Sequence, residues 1–336
     1  MDRVLDRRSG AGKALSRLRR RVGCGPRPRR LVLAGTALAG ALAFLGPNAS
    51  RAQDATWNGS ISGDWNTNGN WSPASVPAGT ATFGAAPTNS LTFSASATIG
   101  TMQFSAGATA YSFDLSGRFL TIDGSGIVNN SSNAPLFNTF GLLEFDNSAT
   151  AGNATINNTP GTTTFTGTSS AGTATITNSG GGLLAFTDTS SAANATIVTN
   201  NGSQSLFSAN SNGGNAQFIT NAGGNVDFSN TSGAAGNHQI TAGSIAGAGT
   251  YKLGANELTV GSNNLSTTVS GAIEGAGASL VKVGTGVLTL SGTNTYTGAT
   301  TVNGGTLIAA PMGRCPPIWE QLRPRQPQSR STRALP

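Results

Sequence analysis

Large apolar residues return along the middle of this chain at a nearly fixed interval. Phe145, Phe165, Phe186, Phe207 and Phe228 are separated by 20, 21, 21 and 21 residues. Eleven residues after each of the first four stands a second apolar residue: Ile156, Ile176, Ile197 and Phe218. In the fifth unit that place falls to Ile240, displaced by one. The wording between them is also alike, as in Asn153-Ala-Thr-Ile156, Thr173-Ala-Thr-Ile176, Asn194-Ala-Thr-Ile197, Asn215-Ala-Gln-Phe218 and Asn237-His-Gln-Ile240. Within each unit apolar and polar residues alternate, and no 3.6-residue stripe appears. The pattern predicts short strands such as Leu183–Phe186 and Gln204–Phe207, separated by Gly-Gly, Asn-Gly and Ser-Gly turns.

A unit of about 20 residues with two or three short strands cannot bury its own apolar face, but stacked copies can. The expected fold is therefore all-β: a right-handed parallel β-helix with Phe over Phe and Ile over Ile. Its coils would be about 4.8 Å apart, so that five of them span roughly 24 Å. The recurring Asn153, Asn194, Asn215 and Asn237 are expected to stack as an amide ladder at one corner. Segment 53–144 alternates less regularly, through Ser90–Phe93, Thr101–Phe104 and Arg118–Ile122, and reads as further coils. It opens with Trp57, Trp65 and Trp71, which are expected to cap the open N-terminal end, where strand edges need cover.

Charge divides the chain into three. The net charge of +7 is +10 over residues 1–52 and +4 over 311–336, whereas 53–310 has a net of −7 and only Arg118, Lys252 and Lys282 as cations. Nucleic-acid binding needs Lys and Arg to neutralise phosphates, so the body excludes that class. The basic leader runs into an apolar stretch, Leu31 to Gly46, too short for the roughly 20 residues of a bilayer span. Small residues follow, with Ser50 and Ala52 at the −3 and −1 positions of a signal-peptidase site. A signal peptide over 1–52 is expected, with cleavage between Ala52 and Gln53 and no membrane span in the mature chain. Cys24 and Cys315 both lie outside the body, which suits export through an oxidising compartment.

Residues 279–309 carry a regular alternation: Leu280, Lys282, Gly284, Gly286, Leu288, Leu290, Gly292, Asn294, Tyr296, Gly298 and Thr300, closed by Gly304, Gly305, Thr306 and Leu307. This segment closely resembles the autotransporter-associated β-strand repeat, and 57–250 resembles passenger coils more loosely. The resemblance implies a bacterial passenger that crosses the periplasm and reaches the outer-membrane surface, most often for adhesion or aggregation. Its partners would be ligands on a host cell, a matrix or a neighbouring cell. It also implies a C-terminal β-barrel, which does not follow here. After Ala310 the composition turns abruptly to Pro and Arg, and a frameshifted or truncated gene is the expectation for 311–336, against a genuine disordered basic tail. The organisation read from sequence is thus a leader over 1–52, irregular coils over 53–144, regular coils over 145–250, closing coils over 251–310 and the tail.

Catalytic chemistry finds little to stand on. His238 is the one histidine, and it reads as a turn residue rather than a base. No G-x-S-x-G elbow occurs, and Asp123-Gly-Ser-Gly126 lacks the alternating acids of a calcium loop. Neither a cofactor nor a metal is expected. A polysaccharide-cleaving β-helix would need paired carboxylates, but Asp146, Asp188 and Asp227 sit at different offsets from the repeat Phe. The alternative to an adhesive rod is a secreted glycan-binding or glycan-cleaving one, with Trp57, Trp65 and Trp71 as a stacking platform.

Overall fold

The computed structural model describes residues 53–309. The leader with Ala52, both cysteines and the tail lie outside the described residues. Among the described residues there are 27 strands and no α-helix, with one 3-10 turn at Asn68–Asn70. The strands form a parallel β-solenoid of about eleven turns. One sheet of twelve strands runs from Trp71–Ser72 through Ala55–Trp57 to Ala272–Glu274, and a second of eight strands lies beside it. All pairings are parallel except Trp71–Ser72, which lies antiparallel on Ala55–Trp57 at the edge of the long sheet.

The repeat of the sequence is the register of the solenoid. Phe145, Phe165, Phe186 and Phe207 are Cα partners in consecutive coils. Their rings stack at 4.9, 4.7 and 4.7 Å, and Phe228 follows Phe207 at 4.6 Å. On the second sheet Ile156, Ile176, Ile197 and Phe218 align in the same way. Four-residue strands such as Thr162–Phe165 and Leu183–Phe186 alternate outward and buried positions, because successive side chains of a strand point to opposite faces. The third side of each coil is reduced to one bridging residue, Thr150, Ser170, Ser191 and Asn212 in turn. Fully buried alanines flank it, among them Ala151, Ala154, Ala171, Ala174 and Ala192. Phe from one sheet and Ile from the other already fill the interior, so the short side has room only for methyl groups.

Two sequence expectations need correction. Ile240 does not continue the Ile column. Ile245 pairs with Phe218, because an insertion lengthens this coil to 27 residues between Gln217 and Ser244. Strand Gln239–Ala242 instead opens a new four-stranded sheet with Glu257–Val260, Ser279–Lys282 and Thr300–Val302. The corner Asn ladder is likewise broken into pairs. Asn215 donates to Asn194 at 3.1 Å and Asn129 to Asn153 at 3.0 Å. Thr173 interrupts the column, and Asn237 bonds the Gln239 side chain instead.

A stronger ladder runs inside. Thr139, Asn158, Asn178, Thr199 and Thr220 end successive strands of the second sheet on the inward side and are all buried. Asn158 donates to Asn178 at 2.6 Å and accepts from the hydroxyls of Thr163, at 2.6 Å, and Thr139. Asn178 donates to Ser205 at 3.1 Å. Most of these groups find partners within the seam, which is the condition for burying them without a penalty of about 1–3 kcal/mol each. A one-residue slip would turn the seam and the Phe stack outward together.

Candidate functional site

The N-terminal segment draws its polar residues around buried Asn70 and half-buried Asp64. Asn70 is buried, and its Oδ1 accepts from the backbone N–H groups of Ile61 at 3.0 Å and Ser62 at 2.9 Å. Asp64 ties this segment to the coil above, accepting from the Ser94 N–H at 2.9 Å, the Ser94 hydroxyl at 3.0 Å and the Thr67 hydroxyl at 2.9 Å. Trp57, Trp65 and Trp71 lie beneath, 2, 0 and 1% exposed. Trp71 meets Trp57 and Trp65 edge to face at 5.0 and 4.9 Å. The Trp57 indole N–H donates to Thr88 O at 2.7 Å and that of Trp71 to Trp65 O at 2.8 Å. With all three rings inside, no indole face is offered for a sugar to stack on.

Burial pushes the Asp64 carboxyl up, but the hydrogen bonds from Ser94, Thr67 and the Asn66 backbone outweigh it and hold the group below 3.8. A carboxyl whose folded value is depressed contributes stability that is present above its unfolded value of 3.8 and lost as pH falls through the folded one. Hydrogen exchange at the Ser94 N–H is expected to accelerate in that acid window ahead of the Phe-stacked coils. Asp64→Asn should remove the pH dependence of this local opening. The same acid-induced opening in Asp64→Asn as in the wild type would show that another group controls it.

At the other end, the regular alternation of 280–307 becomes a set of contacts with the coil beneath. A Cβ on Gly284, Gly286, Gly292, Gly298, Gly304 or Gly305 would meet the carbonyl oxygen of Gly261, Leu265, Gly271, Ala278, Gly284 or Gly286 respectively, in every case closer than 3.0 Å. Glycine is the residue that permits this approach. Leu280, Leu288 and Leu290 are buried and Leu307 packs partly against the core. Asn294 Oδ1 accepts from the Ile273 N–H at 3.0 Å, closing an edge where no strand follows. Tyr296 shares a 2.7 Å hydrogen bond with Thr300.

Lys282 is 1% exposed, a fact its place in the motif did not signal. It stands in an inward register position between Val260 and Val302. Its ammonium donates to the carbonyls of Val283 at 2.5 Å, Gly304 at 3.2 Å and Gly284 at 3.4 Å. Burial holds it below the ordinary lysine value. The arrangement fastens the Gly304 turn of the last coil to the strand before it.

The residues weighed for catalysis do not converge. His238 is exposed in a left-handed turn, and its Nδ1 is hydrogen-bonded to Asn256 Oδ1 at 2.8 Å. Asp146 accepts from the Thr166 hydroxyl at 2.7 Å, Asp188 from the Gly167 N–H at 2.9 Å and Asp227 from the Ser229 N–H at 2.8 Å. Each carboxylate closes a turn or joins neighbouring coils. Among the described residues no cluster of three or more His, Cys, Asp or Glu is placed to hold a metal, and no helix is long and apolar enough to cross a membrane. A shallow groove of about 270 Å³ lies on the outer face of the long sheet, over Gly181, Gly182, Leu183, Gly202, Gln204 and Leu206.

Comparison with known proteins bears on the C-terminal coils. Residues 280–309 match the family model of the passenger-associated-transport-repeat. Neither a curated protein nor a solved structure matches the chain.

Proposed function

From a chain whose closing coils carry this transport repeat, and whose parallel solenoid fits an autotransporter passenger repeat protein, we propose an exported rod, displayed on or released from a Gram-negative-type cell, that acts by surface contact rather than catalysis. The observation that carries the reading is the last coil. Every glycine of the motif is used to seat that coil on the one beneath it, so the repeat is an integral part of the solenoid and not an accident of Gly-rich composition. The outward positions of the strands support a contact role. Thr155, Asn157, Thr175, Thr177 and Thr196 offer hydroxyls and amides at coil spacing, and surfaces of this kind make weak contacts that gain strength by repetition. The partners proposed are ligands on a host cell, a matrix or a neighbouring cell. The glycan alternative loses its stacking platform, since the indoles are buried.

Export and contact are tested together by expressing the full gene in a Gram-negative host. The expected result is material that begins at Gln53 by mass spectrometry, is sensitive to protease added outside intact cells or present in the medium, and increases cell retention on a matrix-coated or cell-coated surface. Retention of the intact Arg-rich leader with all protein inside the cell would overturn the export reading. Exported protein without any gain in retention would overturn the contact role.

A further inference from the structure

The turn of the last coil reads Asn303-Gly304-Gly305, and an asparagine followed by glycine can react with its own backbone. With no Cβ in the way, the main-chain nitrogen of the glycine reaches the side-chain carbonyl carbon of the asparagine. Five such pairs occur in the described residues, at Asn58, Asn68, Asn201, Asn212 and Asn303, and the fold treats them differently. Asn58 Oδ1 accepts from the Ser60 N–H at 3.0 Å and the Ser60 hydroxyl at 2.8 Å. Asn68 Oδ1 accepts from the Val76 N–H at 3.2 Å. Asn212 Oδ1 accepts from the Thr241 N–H at 2.8 Å and the Thr241 hydroxyl at 3.1 Å. At Asn201 the attacking nitrogen is engaged, because the Gly202 N–H donates to Gly223 O at 3.0 Å. Each of these four pairs must break a hydrogen bond before it can react. Asn303 is exposed, and among the described residues neither its side chain nor the Gly304 N–H has a hydrogen-bond partner.

Position in the solenoid adds to this difference. Ring closure needs the backbone at the asparagine to leave its extended course, so it proceeds through local opening. Strands Thr300–Val302 and Thr306–Ala309, on either side of the turn, are the edges of their sheets among the described residues. Each is held by a single neighbouring strand, whereas Asn201 and Asn212 lie among coils paired on both sides. The last coil is therefore the one that opens at least cost. It is also the one least able to take a changed backbone. Only Asn303, Gly304 and Gly305 connect Val302, in register with Lys282, to Thr306, in register with Val287. The turn lies so close to the coil beneath that a Cβ on Gly304 would stand 2.9 Å from Gly284 O, and one on Gly305 2.4 Å from Gly286 O. The Gly304 carbonyl must also face the Lys282 ammonium, 3.2 Å away.

We infer that Asn303 is a site of spontaneous covalent modification, at which deamidation to isoaspartate unseats the last strand of the rod. The Gly304 backbone nitrogen, its proton taken by hydroxide, attacks Cγ of Asn303. The bond from Cγ to the side-chain nitrogen breaks, and ammonia leaves with a proton from water. A five-membered succinimide remains. Water then opens the ring at one of two carbonyls. Opening at the side-chain carbonyl gives aspartate. Opening at the main-chain carbonyl gives isoaspartate, in which the chain runs through the former side chain and is longer by one methylene. That extra length has no place in a turn pressed against the backbone beneath it. Thr306–Ala309 then loses its register on Val287–Leu290, and the edge of that inner strand is uncovered.

Incubation of the purified full chain in mildly alkaline buffer, sampled over days, tests it. Peptide mapping by mass spectrometry follows the small mass gain of amide-to-acid exchange at all five sites, and enzymatic methylation of isoaspartate identifies the product. In the folded chain Asn303 is expected to convert at least about tenfold faster than Asn201 or Asn212, the ratio set by the easier opening of the last coil. In denaturant the five sites should convert at similar rates. Hydrogen exchange on the aged protein should show protection lost at Thr306–Ala309 and kept in the Phe-stacked coils. Asn303→Gln, at an exposed position, should leave the thermal unfolding transition in place and abolish the loss of protection on ageing, because its longer side chain closes a ring far more slowly. An Asn303 that converts no faster than Asn201 and Asn212 in the folded chain overturns the inference. So does an isoaspartate form that keeps the protection of Thr306–Ala309, or an Asn303→Gln chain that loses it on ageing as the wild type does.

Discussion

Phe186→Ala is expected to cost about 3–5 kcal/mol, the range for removing a buried aromatic ring from a packed core. The ring lies between Phe165 and Phe207, 4.7 Å from each centroid, and is 1% exposed. The cavity left behind has little to close it. The neighbouring rings are held in their own coils by four-residue strands in fixed register. The side wall offers the methyl groups of Ala192 and Ala195, which cannot reach across. A solenoid also has no second core to absorb the loss, because each coil is stabilised only by its neighbours. The substitution should therefore divide the rod. Denaturant unfolding followed by hydrogen exchange is expected to show coils on either side of residue 186 losing protection in separate steps, where the wild type loses them together. Phe119→Ala, at an exposed position, should change stability by no more than about 0.5 kcal/mol. A loss below about 1 kcal/mol for Phe186→Ala would mean that the Phe column is not the spine of the fold.

The column was legible in the sequence because a parallel solenoid writes its register into residue spacing. Spacings of 20 and 21 between phenylalanines require stacked coils of that length, and the Cα pairing follows directly. The same reasoning failed at Ile240 because periodicity assumes constant coil length. The insertion before Ser244 kept a plausible apolar residue near the expected place while the chain took a longer route. The internal seam of Asn158, Asn178 and Ser205 was missed for a different reason. Polar residues at the ends of Thr-rich strands read as turn formers, and only the register of two sheets shows that they face one another inward. Lys282 illustrates the same limit. One residue cannot reveal from spacing that three backbone carbonyls, two of them nearby in sequence and one on the next coil, converge on its ammonium. Exposed aromatics such as Phe119 and Phe140 are equally silent, because in a Phe-rich sequence they look like two more members of the core.

Gly292→Ala tests the transport repeat itself, and its effect is expected at or above the upper end of the roughly 1–3 kcal/mol typical of overpacking. Gly292 sits against Gly271 of the coil beneath, so an added methyl would fall inside contact distance of the Gly271 carbonyl oxygen and close to that of Ser270 as well. Both obstacles are backbone, and neither can rotate aside as a side chain would. Relief requires the coils to separate, which stretches the hydrogen bond from Thr295 N–H to Ile273 O, now 2.9 Å, and the one that Asn294 accepts from the Ile273 N–H. Since the last strands, Thr300–Val302 and Thr306–Ala309, are seated only on the coil that Gly292 helps to place, their exchange protection should fall first, while the Phe-stacked coils keep theirs. Gly107→Ala is the matched comparison. Nothing lies within 4 Å of a Cβ there and the residue is outside the left-handed region, so the change should be neutral or stabilise by about 0.4–1 kcal/mol through the unfolded chain. If Gly292→Ala behaved like Gly107→Ala, the glycines of the repeat would not be needed for coil seating. Their regular spacing would then have to answer to some demand other than the folded rod, with passage across the membrane the first to examine.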